Sequence, residues 1–152
     1  MANYKSSYIT RQELLTSSAA AEAANLTGKL PLVQHISYQL LGTEAAADTI
    51  QLFDLPPGCV IIPQLSSVTC ADPGTTLTLD IGDALDTDRY ADGIVMSSGG
   101  LVNFASTLPV PAGITTPYLP TATSRVICKV DTASTLTAGV VLNFLVAYRI
   151  KG

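Results

Sequence analysis

The chain has 152 residues, 47% of them hydrophobic and only 13% charged, about half the usual charged share. That length suits one domain with a real core and excludes wholesale disorder. Eight Lys and Arg against twelve Asp and Glu, a net charge of −4, give no basic footprint for nucleic acid or for an anionic membrane surface. The polar surface is mostly neutral, because 18 Thr and 12 Ser supply small hydroxyls. In chain order, residues 1–30 read as an arm and 31–152 as a body. Met1 to Asn25 contains Lys5, Arg11, Glu13 and Glu22 and no apolar run, which predicts a chain made and folded in a cytoplasm. Thr10 followed by Glu13 fits a capping box, and the spacing predicts a helix over Arg11–Ala24. Its large apolar residues are Leu14 and Leu15 alone. Such a thin face gives little stability in isolation, so the arm is expected to gain order on a neighbouring subunit.

From Leu32 the hydrophobic period becomes two. Leu32, Ile36, Tyr38 and Leu40 share one side of an extended segment, and Ile50–Leu55 is a second strand ended by Pro56-Pro57-Gly58. Cys59–Ala71 is β-branched and apolar. Pro63 within it cannot donate to a ladder, so this piece lies at an edge or bends there. Thr75–Ile81 alternates strictly, with Leu77, Leu79 and Ile81 inward. Short strands are expected at Gly93–Met96 and Leu101–Thr107, then a Pro-rich connection. Ser124–Val130 alternates again, with a turn at Asp131–Ser134, and a last strand runs from about Leu136 to Ile150. On that strand Val141, Leu145 and Ala147 form a second apolar face, which asks for cover on both sides. Strands at this spacing with Pro/Gly turns predict an all-β, antiparallel β-sandwich, jelly-roll-like, with an extended N-terminal arm.

The chemistry-bearing residues are sparse. His35, the single histidine, sits mid-strand without a nucleophile elbow anywhere in the chain, and reads as a surface or interface imidazole. Cys59, Cys70 and Cys128 read as reduced, small hydrophobic residues, and their spacing gives no zinc pattern. Gly99-Gly100 lacks the Lys and helix of a phosphate loop. Asn25-Leu26-Thr27 matches a glycosylation sequon with no export signal behind it. Ala138–Ala147, the longest apolar stretch, is broken by Gly139 and Asn143 and falls far short of a bilayer span. The one polar concentration is Asp80–Asp92, five carboxylates with Arg89. Asp80, Asp83, Asp86 and Asp88 are candidate calcium ligands, although the spacing is not that of an EF-hand. Turn chemistry explains them without a metal, with Asp86 or Thr87 capping a helical turn and Arg89 pairing with an Asp. No cofactor and no enzymatic activity are expected.

Phe53-Asp54-Leu55-Pro56-Pro57-Gly58-Cys59-Val60-Ile61, followed by Thr76 through Ile81-Gly82-Asp83-Ala84-Leu85-Asp86-Thr87-Asp88-Arg89-Tyr90, resembles small virion structural proteins of tailed bacteriophages. The similarity spans about residues 50–150. The resemblance implies a β-rich fold and, most closely, a head decoration (cement) protein: a homotrimer on the capsid exterior that clamps neighbouring major capsid protein subunits. Other members sit at the neck or tail, and the family has no catalytic residues. A low-charge chain suits association through neutral surfaces that survive changing salt. The expected interface residues are Arg11, Leu14 and Leu15 in the arm and Val141 and Leu145 on the last strand. The alternatives are a neck-, tail- or fibre-associated virion protein, and a non-viral carbohydrate- or calcium-binding β-sandwich module. The absence of Trp argues against a sugar-stacking platform.

Overall fold

The computed structural model describes residues 31–108 and 118–150 in full and the backbone of 3–5. Among these, ten strands run in chain order: β1 (Asn3–Lys5), β2 (Leu32–Gln39), β3 (Thr49–Leu55), β4 (Cys59–Ile61), β5 (Ser67–Cys70), β6 (Gly74–Gly82), β7 (Ala91–Val95), β8 (Gly100–Asn103), β9 (Ser124–Leu136) and β10 (Val141–Ile150). Sheet A has the order β1-β3-β9-β6-β7. Sheet B has the order β2-β10-β5-β8, with β4 also on β10. The chain crosses repeatedly between the sheets, and the fold is an antiparallel β-sandwich as the sequence predicts. The parallel exception is β1 on β3. The predicted helix over Arg11–Ala24 lies outside the described residues.

The core lies between the sheets. Leu77, Leu79, Ile81, Val126, Cys128 and Val130 of sheet A face Ile36, Val68, Leu142, Phe144 and Val146 of sheet B, all buried. Phe53 stacks on Tyr148 across the core, ring centres 5.8 Å apart. The β3 sequence shows why the strand bulges. Ile50 and Leu52 are in one phase, Phe53 and Leu55 in the other, and all four are buried. A register shift between Gln51 and Phe53 against β9 reconciles the two phases. Burial also keeps Cys59, Cys70 and Cys128 as free thiols and pushes their pKa values up.

Pro63 acts by bending the chain. Cys59–Ala71 is not one strand but two, β4 and β5, both on the same side of β10 and separated by a 3-10 turn at Pro63–Leu65. Buried Ser66 repairs the gap. Its Oγ donates to Ile62 O (2.8 Å) and accepts from Ala147 N (2.9 Å), while Ile62 N donates to Ala147 O. Leu101–Thr107 likewise divides, into β8 and a 3-10 turn at Phe104–Thr107 whose Ala105 amide donates to Asn103 Oδ1. The predicted turn at Asp131–Ser134 is instead the middle of β9. The side chains there are largely exposed, but the backbone pairs with β6 from Leu136↔Gly74 to Thr78↔Thr132. Ladder hydrogen bonds hold this polar half of the strand, and the reversal comes later, where Gly139 N and Leu40 N pair the turn with the end of β2.

The crossing from β2 to β3 is fixed by a buried acid. Glu44 accepts from Tyr38 Oη (2.8 Å), Leu41 N (2.7 Å) and Gly42 N (2.9 Å), so a short loop turns under the sandwich without leaving amides unsatisfied.

Candidate association surface

The two outer faces of the sandwich differ in charge. Residues directly opposite in antiparallel register share a face, so the outer face of sheet B can be read row by row. One row is His35, Leu145, Ser67 and Asn103. The next is Ser37, Asn143, Thr69 and Leu101. Val141 stands beside Gln39, and Ala147 beside Val33. Across these rows there is no carboxylate and no amine; Arg149 lies beyond them toward the end of β10. Val33 (52% exposed), Leu101 (69%), Val141 (38%) and Leu145 (40%) stand out from the face, and Ser37 Oγ donates to Asn143 Oδ1 within it. The second apolar face predicted on the last strand therefore exists, and the described residues cover only part of it. Ala147 is buried beside the Pro63 turn, while Val141 and Leu145 remain open.

Sheet A carries charge outward. Arg125 makes a bidentate fork with Asp54 (2.7 and 2.9 Å) and reaches Gln51 Oε1. Lys129 Nζ donates to Asp80 (3.1 Å) and lies 3.8 Å from Asp131. The Asp80 hydrogen bond is the main reason the Lys129 pKa is raised.

The acidic loop is organised by turn chemistry. Asp83 Oδ1 accepts from Leu85 N and Asp86 N, so Asp83 caps the turn over 83–86. Arg89 pairs as expected. Its Nε lies 3.0 Å from Asp83 Oδ2, near enough for charge attraction though off the angle of a hydrogen bond, and its guanidinium sits 3.7 Å over the Tyr118 ring. Asp80 accepts from Gly93 N as well as from Lys129. Asp88 and Asp86 share a hydrogen bond, which raises the Asp88 pKa ahead of burial and the Asp86 charge. Burial and the Asp83 charge push the phenol of Tyr90 up, so it stays neutral. Arg89 bridges Asp83 and Asp86, 3.0 and 3.8 Å away, and Lys129 holds Asp80. Among the described residues no group of three His, Cys, Asp or Glu side chains converges on one point, and no helix is long and apolar enough to cross a membrane.

Of the expected interface residues, Val141 and Leu145 lie together on the neutral face, while Arg11, Leu14 and Leu15 fall outside the described residues. His35 is exposed and in register with Leu145 on this neutral face. Sequence reasoning passed over Val33 and Leu101. The phase of β2 carries the signal for Val33, since inward Ile36 and Tyr38 place every odd-numbered residue of that strand outside.

No protein-family model matches the sequence, and no curated protein matches it. Solved structures do share the fold. A chain in the capsid of Ralstonia phage GP4 gives a TM-score of 0.69 at 18% identity, covering 99% of both chains. A chain of the cyanophage Pam1 capsid asymmetric unit gives 0.58 at 22%, covering 82% of this chain and 88% of that one. A chain of the acid-stable capsid of Helicobacter pylori bacteriophage KHP30 gives 0.52 at 16%, covering 81% and 90%. At these identities the likeness is one of fold: this sandwich is built as chains found in phage capsids are built.

Proposed function

We propose that the chain is a bacteriophage virion structural protein of the decoration, or cement, kind. In this reading it associates as a homotrimer on the outside of the head, contacts the major capsid protein and clamps neighbouring subunits of the shell. The observation that carries the reading is the end-to-end structural likeness to a chain of a phage capsid, 99% of both chains. The neutral outer face of sheet B supports it, because Val33, Leu101, Val141 and Leu145 form an uncharged surface of the sort that docks without stripping water from ions. Each copy that crosses a seam between capsid subunits adds its own buried contact to the work of separating them. A contact of about 1,600 Å² would be an ordinary stable interface. The described residues place their carboxylates and the single imidazole in structural or surface positions, which fits a role in assembly rather than catalysis.

The test is to mix purified protein with heads that lack it and to locate it by reconstruction. Density on the outer shell at seams between capsid subunits, with light scattering giving a trimer, is the expected result. A Leu145→Asp variant, exposed enough to fold normally, should bind at least about 100-fold more weakly, the scale of burying an unpaired charge. Density at the portal axis or tail would transfer the protein to the neck or tail. Full binding by Leu145→Asp would remove sheet B from the interface.

A further inference from the structure

β1 is a short edge strand of sheet A. It is three residues long, parallel to β3, and lies at the edge of sheet A, with Asn3↔Thr49, Tyr4↔Ile50 and Lys5↔Gln51 in register. A parallel pair cannot be closed by a tight hairpin and needs a long crossover. Here residues 6–31 join β1 to β2, which belongs to the other sheet. Those 26 residues can span at most roughly 85 Å. A body of about 120 residues is only about 35 Å across. The connection is thus far longer than its own sandwich requires, and it includes the run Ser17–Ala24, whose sequence holds no large apolar residue.

The β3 edge, by contrast, needs a cover. β9 pairs with one side of β3, and β1 is the strand on the other. An uncovered edge of this kind would offer open N–H and C=O groups to any passing strand. The contacts that satisfy it are backbone ladder bonds, and a second copy supplies them identically.

We propose that β1 is exchanged: residues 3–5 of one copy pair with β3, at Thr49–Gln51, of a neighbouring copy. The inference rests on the reading that copies of this chain associate. It deepens that reading by naming the strand and the edge that join them. Exchange keeps every contact of β1 and links subunits without any new surface. Because donor and acceptor sites differ, the exchange is either reciprocal within a two-fold dimer or runs head to tail around a closed ring. Each arm then ties its subunit to the next, so the assembly gains from the high local concentration of an attached strand.

The experiment uses the full chain in solution, without capsids. One tagged copy carries Asn3→Cys and a differently sized copy carries Thr49→Cys, and the two are co-expressed and oxidised. Partners directly in register lie within disulfide reach, and the three native cysteines are buried and do not compete. A covalent heterodimer on a non-reducing gel is the expected result, with the Asn3→Cys/Thr49→Cys double variant forming covalent oligomers. A double variant that closes its disulfide within a single chain, with no mixed product, overturns the exchange. So does the absence of any disulfide in both formats, since β1 is then held on no β3 edge. Circular dichroism confirms that each variant folds, and the Lys5→Cys/Gln51→Cys pair repeats the test at a second register position. Light scattering on the same samples separates the two ideas. A trimer with only internal disulfides sinks the exchange and leaves association standing, whereas a monomer sinks both.

Discussion

At the scale of single residues, the acidic concentration around Asp80–Asp92 is a set of turn and ion-pair devices with one strained spot. Asp83 and Asp80 are buried and each has donors aimed at it. Asp88 and Asp92 are not so well served. Hydrogen bonding to Asp86, then burial, raises the Asp88 pKa; burial and then the charges of Asp80, Asp88 and Asp131 raise that of Asp92. A carboxyl whose pKa is higher folded than unfolded favours the folded chain when protonated. Its contribution is fully present below the ordinary carboxylate value near 4 and is lost as the pH rises through the raised folded value. Mild acidification from neutrality should therefore relieve these two residues. Replacing Asp88 with Asn should raise the melting temperature at pH 7 by about 1–2 °C, the scale of a solvent-screened surface charge. The gain should shrink as the pH is lowered toward 4. Melting curves of the two proteins across that range check it, and a gain that grows on acidification would contradict the assignment. The residue types were legible in the sequence, and so was an Arg89–Asp pair. Which Asp turns the chain was not, because Asp83, Asp86 and Asp88 are equivalent turn formers until the path of β6 into the loop is known.

At the scale of elements, patterning was readable wherever burial follows a strict period and unreadable where backbone pairing alone holds a strand. Leu77, Leu79 and Ile81 alternate inward as expected. The phase slip at Leu52-Phe53 marks the bulge of β3. Asp131–Ser134 reads as a turn because its residues are polar, yet it is strand because β6 is long enough to pair with it. The Pro63 bend was legible, whereas its repair by Ser66 was not, since one serine among 12 carries no signal. The glycine of Ile81-Gly82-Asp83 has a steric reason that the sequence hides. A Cβ on Gly82 would sit 2.1 Å from Asp86 O and 2.4 Å from Thr87 C, both backbone atoms, because the loop folds directly across the end of β6. Gly82→Ala must push that loop away and loosen the Asp83 cap and the Tyr90 N–Ile81 O bond that closes it. The expected loss of stability is about 2–3 kcal/mol, the range of an overpacked core site. Leu85→Ala, in the same loop but 84% exposed, should cost less than about 0.5 kcal/mol. Urea unfolding of both variants checks the pair, and equal effects would show that loop composition matters rather than the close approach at Gly82.

At the scale of the whole molecule, charge is divided between the two sheets, and that division makes a claim about how the protein is bound. Sheet A turns Asp54, Arg125, Lys129, Asp80 and Asp131 outward as mutual pairs. Sheet B turns out Val33, Leu101, Val141 and Leu145 among Ser, Thr, Asn and Gln. If sheet B lies against the shell, the interface holds no ions for salt to screen. Dissociation of the protein from heads should then change by less than about threefold between 0.1 and 1 M NaCl, where the screening length falls from about 10 to 3 Å. An interface built on sheet A would weaken strongly over the same range, because its exposed charges lose their reach. Arg125→Gln sharpens the contrast. It removes the fork to Asp54, at a stability cost of about 0.5–1 kcal/mol for a half-exposed bidentate pair, and should leave capsid affinity unchanged. Cosedimentation with heads at the two salt concentrations, for the parent chain and for Arg125→Gln, measures both effects. Steep salt dependence together with weakened binding by Arg125→Gln would reverse the orientation, placing the charged face against the shell and the neutral face toward sister copies of the chain.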